Sequence, residues 1–187
     1  MKNPKKLKVK TNIKRLNLLE YISSRFFILY EKEVLILAAI RILYISISGN
    51  TRNFVNNLQS YAKQLHADDD ANPLIELTEI SDQSDFADEK ENFFAFVPTY
   101  LDGGNGIDNG VKEMMTNSLG EYIDYHNNAR RCIGVIGSGN KNFNDQYCLT
   151  AKRYAQKFNT ELTTDFELRG TDRDVTRVYN ILKNKNI

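Results

Sequence analysis

Residues 46–51 carry the side chains best suited to chemistry, and that chemistry is the binding of a phosphate group. Ser46, Ser48 and Thr51 supply hydroxyls, Asn50 supplies an amide, and Gly49 has no side chain to hinder a close approach. A helix that begins at such a loop presents unpaired N–H groups and the positive end of its dipole to an anion. The stretch lacks the lysine of the GxxxxGK[ST] motif, which argues against a P-loop NTPase. The alternative interpretation is an ordinary strand-to-helix turn with a serine or threonine as N-cap.

The flanking residues predict the elements that position this loop. An apolar run at 41–47 precedes the loop and apolar residues at helical spacing follow it, so the order is strand, loop, helix. The same alternation continues along the chain and predicts a three-layer α/β fold, with five parallel strands in the order 2-1-3-4-5 between helices. The other predicted strands are 74–77, 93–97, 131–136 and 161–168, the predicted helices are 108–119, 121–126, 146–158 and 171–183, and 81–92 is a loop or a short helix.

Three of the predicted loops meet at one edge of this sheet. In a parallel sheet of this order, ligands bind at the carboxyl ends of the strands, where the strand order reverses. The loops after the first, third and fourth strands, at 46–51, 98–107 and 137–145, all lie at that edge. They are also the loops richest in glycine and hydroxyl groups. Their convergence predicts a site for a phosphate-bearing cofactor.

The charge distribution divides the chain into a basic N-terminal part and an acidic remainder. Residues 1–41 hold ten Lys/Arg and three Asp/Glu, a net charge of +7, whereas the rest of the chain has a net charge of −6. An acidic domain is poorly suited to nucleic acid. Two cysteines without CxxC spacing and two histidines do not make a metal cluster, so we expect no metal. We expect Cys132, in a strand, and Cys148, in a helix, to be buried thiols in a reducing cytoplasm.

Residues 1–39 differ in character from residues 40–187, which we expect to form one domain. The apolar runs 26–30 and 34–40 are separated by charges and fall short of the ~20 residues of a membrane span. They do not follow the order of a signal peptide either, so we expect a cytoplasmic protein that is not membrane-bound. The basic extension is interpreted as disordered, or as upstream sequence translated ahead of a true start near Leu35. A third interpretation is an arm that lies on a membrane surface.

Four short motifs, taken together, are similar to those of the NrdI family. They are the loop 46–51, Val97-Pro98-Thr99-Tyr100 followed by glycines, GSGNKNF at 137–143, and FELRGT at 166–171. NrdI proteins are small flavodoxin-like proteins that serve class Ib ribonucleotide reductase. The resemblance spans residues 40–183 and implies a flavodoxin-like fold that binds FMN. The FMN-binding residues that it implies are Ser46, Ser48, Gly49, Asn50, Thr51, Pro98, Thr99, Tyr100, Gly103, Gly104, Ser138, Gly139, Asn140 and Phe143.

The resemblance also implies which part of FMN each group of residues contacts. Residues 46–51 would wrap the phosphate, Tyr100 and Gly103–Gly104 would approach the isoalloxazine from one side, and residues 139–143 would approach from the other. A glycine peptide near flavin N5 can flip as the redox state changes. Two basic residues of the motifs are not among the implied FMN-binding residues. We expect Arg169 to pair with a surface acid, and Lys141 to be solvated or to lie near the flavin.

The function that the resemblance implies is the activation of ribonucleotide reductase. In the family, reduced flavin reacts with oxygen to give superoxide or peroxide, which drives formation of the tyrosyl radical at the dimanganese site of the class Ib small subunit. The chain would have no catalytic acid or base of its own and would need an unidentified flavin reductant. The long loop at Leu101-Asp102 departs from the family pattern. Two alternatives remain: a generic one-electron carrier of the flavodoxin type, and a flavin-free interaction protein.

Overall fold

A five-stranded parallel sheet forms the centre of the structure, a computed structural model that describes residues 39–102, 112–113 and 117–186. The sheet strands are β1 (Ile40–Tyr44), β2 (Ile75–Glu79), β3 (Phe93–Pro98), β6 (Cys132–Gly139) and β7 (Leu162–Glu167), and a separate hairpin pairs β4 (Leu101–Asp102) with β5 (Lys112–Glu113). The helices are α1 (Asn50–Asp68), α2 (Ser118–Asp124), α3 (Leu149–Lys157) and α4 (Asp172–Lys185). The sheet order β2-β1-β3-β6-β7 confirms the predicted order 2-1-3-4-5 when the five strands are counted along the chain.

Two hydrophobic cores lie on opposite faces of the sheet. Phe94 and Phe96 of β3 pack with α1 and α4, whereas Phe93, Ala95 and Val97 pack with α2 and α3. Every residue of β3 is buried. This confirms the prediction that the apolar run 93–97 is a central parallel strand covered on both faces.

The loop 81–92 contains no helix and is held at the amino ends of the strands by the side chains of Arg41, Tyr122 and Asn128, which come from outside it. The buried amide of Asn128 accepts the Glu89 N–H at 2.8 Å and donates to two backbone carbonyls. The Glu89 carboxylate accepts hydrogen bonds from Arg41 Nε and from the Tyr122 hydroxyl, both at 2.9 Å. These bonds satisfy the polar groups that the loop buries at this edge.

The predicted helix 108–119 is wrong at 112–113, and of its described residues only Ser118 and Leu119 are helical. Strand β5 lies within this range and pairs antiparallel with β4, and α2 begins only at Ser118. The antiparallel pairing provides hydrogen-bond partners for the backbone of these residues. The spacing of apolar residues, on which the helix was predicted, carries no information about such pairing.

Strand β6 extends further than predicted. The predicted strand ended at Ile136, yet the ladder continues because Gly137 pairs with Val97 on one side and with Asp165 on the other. The glycine itself is required by packing, since a Cβ at position 137 would lie 2.9 Å from both Cβ and Sγ of Cys148. Residues 137–139, predicted as a loop, therefore belong to the sheet.

Helix α3 begins three residues later than the predicted Gln146. A 3-10 turn at Lys141–Gln146 precedes it, and Cys148 is its N-cap, with φ of 56°, rather than a residue within the helix. The burial predicted for both thiols is confirmed for Cys132 and Cys148.

The proposed division of the chain at residue 39 stays a prediction. The described residues belong to one unit, Ala38–Ile187. The predictions made for residues 1–38 lie outside the described part of the chain.

Candidate functional site

A cleft of about 160 Å³ lies at the carboxyl ends of β3 and β6, beside the start of α1. It is at the predicted edge, where the strand order reverses. Of the residues predicted from sequence, eight line it together with Leu101 and Leu168: Asn50, Pro98, Thr99, Tyr100, Ser138, Gly139, Asn140 and Phe143. The other described candidates, Ser46, Ser48, Gly49 and Thr51, belong to the loop that leads into Asn50, and Gly103 and Gly104 lie outside the described residues.

The loop 46–51 turns sharply into α1. Gly49 is the N-cap, with φ of 81°, and no side chain makes a cap hydrogen bond there. The alternative interpretation, a serine or threonine N-cap, is therefore wrong. The Ser46 hydroxyl accepts the N–H of Arg52 at 3.2 Å, which closes the loop across its base.

The Thr51 hydroxyl is an exception to the rule that buried polar groups are paired. Thr51 is 1% exposed, and its Oγ1 has no hydrogen-bond partner among the described residues. An unpaired buried hydroxyl costs roughly 1–3 kcal/mol. A group of this kind in the first turn of a helix, next to a cleft, is available to donate to a ligand with acceptor oxygens.

Tyr100 connects the end of β3 to the same loop. Its hydroxyl accepts the backbone N–H of Ser48 at 3.2 Å and also lies within hydrogen-bond distance of the Ser48 hydroxyl. The phenol oxygen thus sits at one of the backbone donors expected to bind a phosphate. The ring of Tyr100 forms part of the cleft wall.

Thr99 has a structural task within the cleft wall. Its N–H donates to the Ser138 carbonyl at 2.8 Å, and its Oγ1 accepts the N–H of Thr150 at 3.1 Å. The Thr99 side chain therefore supplies an acceptor to the first turn of α3. The N-cap residue of that helix, Cys148, makes no side-chain cap hydrogen bond itself. Pro98 lies opposite Ser138 in the ladder. These residues shape the wall, and the Thr99 hydroxyl is already engaged.

The third loop is held by its own turn and by β7. The Asn140 side chain accepts the N–H of Asn142 at 2.9 Å, and the Asn140 carbonyl accepts the N–H of Phe143 at 3.0 Å. The N–H of Lys141 donates to the Glu167 carboxylate at 3.2 Å. The Lys141 ammonium lies 5.8 Å from the centre of the Tyr147 ring, at the outer side of the loop.

A polar pair lies behind this loop. The Tyr147 hydroxyl donates to Asp165 at 2.8 Å. Burial, and then the hydrogen bond to the carboxylate, raises the pKa of Tyr147. Burial likewise raises the pKa of the Cys148 thiol to about 12, so this thiol stays protonated beneath the cleft.

Arg169 contacts a residue of the cleft wall, a contact that sequence reasoning missed. Its Nε donates to Oδ1 of Asn50 at 2.9 Å, and within the described residues it does not form the expected ion pair with a surface acid. The motif FELRGT includes the residue, but nothing local in the sequence indicates that position 169 reaches position 50. Arg52, by contrast, is bound to Glu79 through Nε at 2.8 Å and through Nη2, which directs its charge away from the cleft.

Comparison with known proteins agrees with this geometry. A family model described as "NrdI Flavodoxin like" matches residues 42–180. The chain belongs to the NrdI flavodoxin-like family. The matched residues include all three loops of the cleft and Arg169.

Relatives of the NrdI family match most of the chain. A NrdI-like protein of Streptococcus pyogenes serotype M3 is 48% identical over 144 residues, which are 76% of this chain and 87% of that protein. A NrdI-like protein of Streptococcus pneumoniae serotype 4 is 43% identical over 143 residues, 76% of this chain and 92% of that protein. Protein NrdI of Mycoplasma genitalium is 29% identical over 143 residues, 76% of this chain and 82% of that protein.

A solved structure shows the same fold. It is a short-chain flavodoxin associated with a non-canonical PDU bacterial microcompartment, with a TM-score of 0.54 and 22% identity, covering 78% of this chain and 94% of that one. The predicted flavodoxin-like fold is thereby confirmed for this NrdI-family chain.

Two other kinds of site, a membrane span and a metal centre, are absent from the described residues as far as their helices and acidic, histidine and cysteine side chains go. Within them, no helix is long and apolar enough to cross a membrane. The same part of the chain holds no group of three or more His, Cys, Asp or Glu side chains arranged for a metal ion.

Proposed function

We propose that this chain binds FMN and serves class Ib ribonucleotide reductase as a redox accessory protein. The observation that carries the cofactor proposal is the buried, unpaired hydroxyl of Thr51 in the first turn of α1, beside a cleft at the carboxyl edge of the sheet. A flavin phosphate provides the acceptor oxygens that this hydroxyl and the adjacent N–H groups lack. Family membership supports the choice of flavin.

The chain's own residues divide into a phosphate part and a ring part. Ser46, Ser48, Gly49, Asn50 and Thr51 would hold the phosphate with hydroxyls, one amide and backbone donors. Pro98, Thr99, Tyr100, Ser138, Gly139, Asn140 and Phe143 would form the walls against the flavin ring, with Gly103 and Gly104 assigned to the same part on sequence alone. The described residues that line the cleft include no carboxylate, histidine, cysteine or amine, which favours a bound cofactor as the source of reactivity.

The proposed reaction partner is the dimanganese small subunit of the class Ib enzyme, in the cytoplasm. When bound, reduced flavin supplies electrons to oxygen and so provides superoxide or peroxide for assembly of the tyrosyl radical. The protein would contribute binding, oxygen access and docking, and would receive its electrons from a reductant still to be identified. The NrdI family model and the named relatives support this role.

The first experiment is a reductive titration of the FMN-loaded protein. The reduced protein is exposed to air alone to measure reoxidation, and in a second sample it is first mixed with manganese-loaded reductase small subunit and then exposed to air. The tyrosyl radical is measured by electron paramagnetic resonance. Rapid reoxidation and radical formation are expected. Slow reoxidation without radical would favour a one-electron carrier, and failure to bind FMN would leave a flavin-free interaction protein.

A pair of matched variants tests the phosphate assignment. T51V keeps the shape of the side chain and removes the hydroxyl, so FMN affinity should fall about 10- to 100-fold, the loss of one hydrogen bond to a charged group. Riboflavin affinity should not change. T163V is the control, because the Thr163 hydroxyl oxygen is also buried but lies on β7 and not at the start of α1. Equal effects of the two substitutions would contradict the assignment.

A further inference from the structure

The contact between Arg169 and Asn50 determines which atoms of Asn50 are available to a ligand. A guanidinium has only donors, so the atom of Asn50 that faces Arg169 Nε at 2.9 Å must be the amide oxygen. The amide nitrogen, with its two N–H donors, is then left for an acceptor elsewhere. Asn50 is the first residue of α1 and lines the cleft. Arg169 thus orients a donor at the place where the helix dipole also favours an anion.

The backbone that carries Arg169 is held in place. Gly170 follows with φ of 67°, and its N–H donates to the Glu167 carbonyl at 2.7 Å. A Cβ at Gly170 would lie 2.4 Å from the ring of Phe54, so this turn rests directly on α1. Thr171 and Asp174 then form a capping box at the start of α4. The arginine is therefore presented from a fixed turn.

The positive charge of Arg169 is not neutralised by a described carboxylate. Two other arginines, by contrast, are neutralised by carboxylates: Arg52 pairs with Glu79, and Arg177 pairs with Asp174. Within the part of the chain that the structure describes, Arg169 forms no ion pair, and only its Nε is used. The loop 46–51 has no basic residue of its own. A counter-charge from elsewhere in the chain would add to the backbone donors and the helix dipole that a dianionic phosphate meets at this loop.

We propose that Arg169 makes the site selective for a phosphorylated flavin over an unphosphorylated one. It acts in two ways: Nε fixes the Asn50 amide with its donors free, and the remaining guanidinium N–H groups supply positive charge at the loop 46–51. The ligand class is a dianionic phosphate monoester. This inference rests on the proposed FMN function and adds a residue that reaches the phosphate loop from the opposite end of the chain.

The test compares affinities for FMN and riboflavin by quenching of flavin fluorescence. R169M removes the charge and the Nε donor and keeps an apolar stem of similar length. We expect FMN affinity to fall about tenfold or more, with riboflavin affinity unchanged. The salt dependence of FMN binding should also become shallower, because one charge no longer contributes. R131M is the matched control, since Arg131 is an exposed arginine at the amino end of β6, and it should change neither affinity.

A second variant separates charge from geometry. R169K keeps the charge and loses the forked donor group, so it should recover part of the FMN affinity and the salt dependence. Equal losses for FMN and riboflavin in R169M, or no loss at all, would overturn the inference while leaving FMN binding by the wild-type chain intact. Failure of the wild-type chain to bind FMN would overturn the proposed function and this inference together, and that pattern is distinct from a flat R169M result.

Discussion

Replacement of Gly170 by alanine should destabilise the fold strongly. A Cβ there would lie 2.4 Å from both Cδ2 and Cε2 of Phe54. The Phe54 ring is fully buried and stacks on Phe166 with the ring centres 3.7 Å apart, so it has no room to retreat. The backbone at Gly170 has φ of 67°, a conformation that L-residues adopt at a cost.

The magnitude follows from two separate costs. A left-handed backbone costs a non-glycine residue about 1–2 kcal/mol. An extra methyl group in a well-packed core costs about 1–3 kcal/mol. The free energy of unfolding of G170A should therefore fall by about 2–5 kcal/mol, a large share of the stability of an ordinary domain.

Gly49 provides the control that separates the two costs. Its φ is 81°, but apart from its chain neighbours no atom of the described residues lies within 4 Å of the position that a Cβ would take. G49A should therefore lose only the backbone cost of about 1–2 kcal/mol. Urea unfolding followed by circular dichroism gives both values, and an unchanged m-value shows that they are comparable. Equal losses in the two variants would refute the argument that Gly170 is required by its contact with Phe54.

Three further predictions concern the site and its surroundings. Y100F should tighten FMN binding about fivefold, because the phenol oxygen no longer occupies the Ser48 N–H while the ring is kept; weaker binding in a fluorescence titration would contradict this. The two cysteine thiols, with pKa values raised by burial to about 11 and about 12, should react with Ellman's reagent only on unfolding, and rapid labelling of native protein would be the contrary result. The Arg52 guanidinium lowers the pKa of the Glu79 carboxyl, so its stabilising contribution should be complete above the unfolded pKa of about 4.3 and be lost as the pH falls through the lower folded pKa. In unfolding experiments at a series of pH values, E79Q should flatten that acid limb, and a limb identical to the wild type would exclude this pair as its source.

Local patterns predicted the elements that have strong and simple signals. The uninterrupted apolar run at 93–97 is a strand because a central parallel strand is apolar on both faces. The helix predicted over 171–183 is α4, which begins at Asp172 because Thr171 and the acid three residues later cap it with reciprocal hydrogen bonds. The helix predicted over 108–119 failed because antiparallel pairing of β4 with β5 depends on two segments ten residues apart. Gly137 was wrongly predicted to be a loop residue. Glycine is required there because a neighbouring helix packs against it, and not because the chain turns.

The sequence by itself determined the strand order, the edge at which the site lies, and the loops that meet there. These follow from periodicity and from the way parallel strands connect, both of which are readable along the chain. Only the tertiary structure decided that Arg169 holds Asn50, that Tyr100 reaches Ser48, and that the Thr51 hydroxyl is buried without a partner. The physical reason is that these contacts depend on how closely elements far apart in sequence pack. The close packing of Gly170 on Phe54 sets the distance between the turn that carries Arg169 and helix α1. No local pattern of residues encodes that packing.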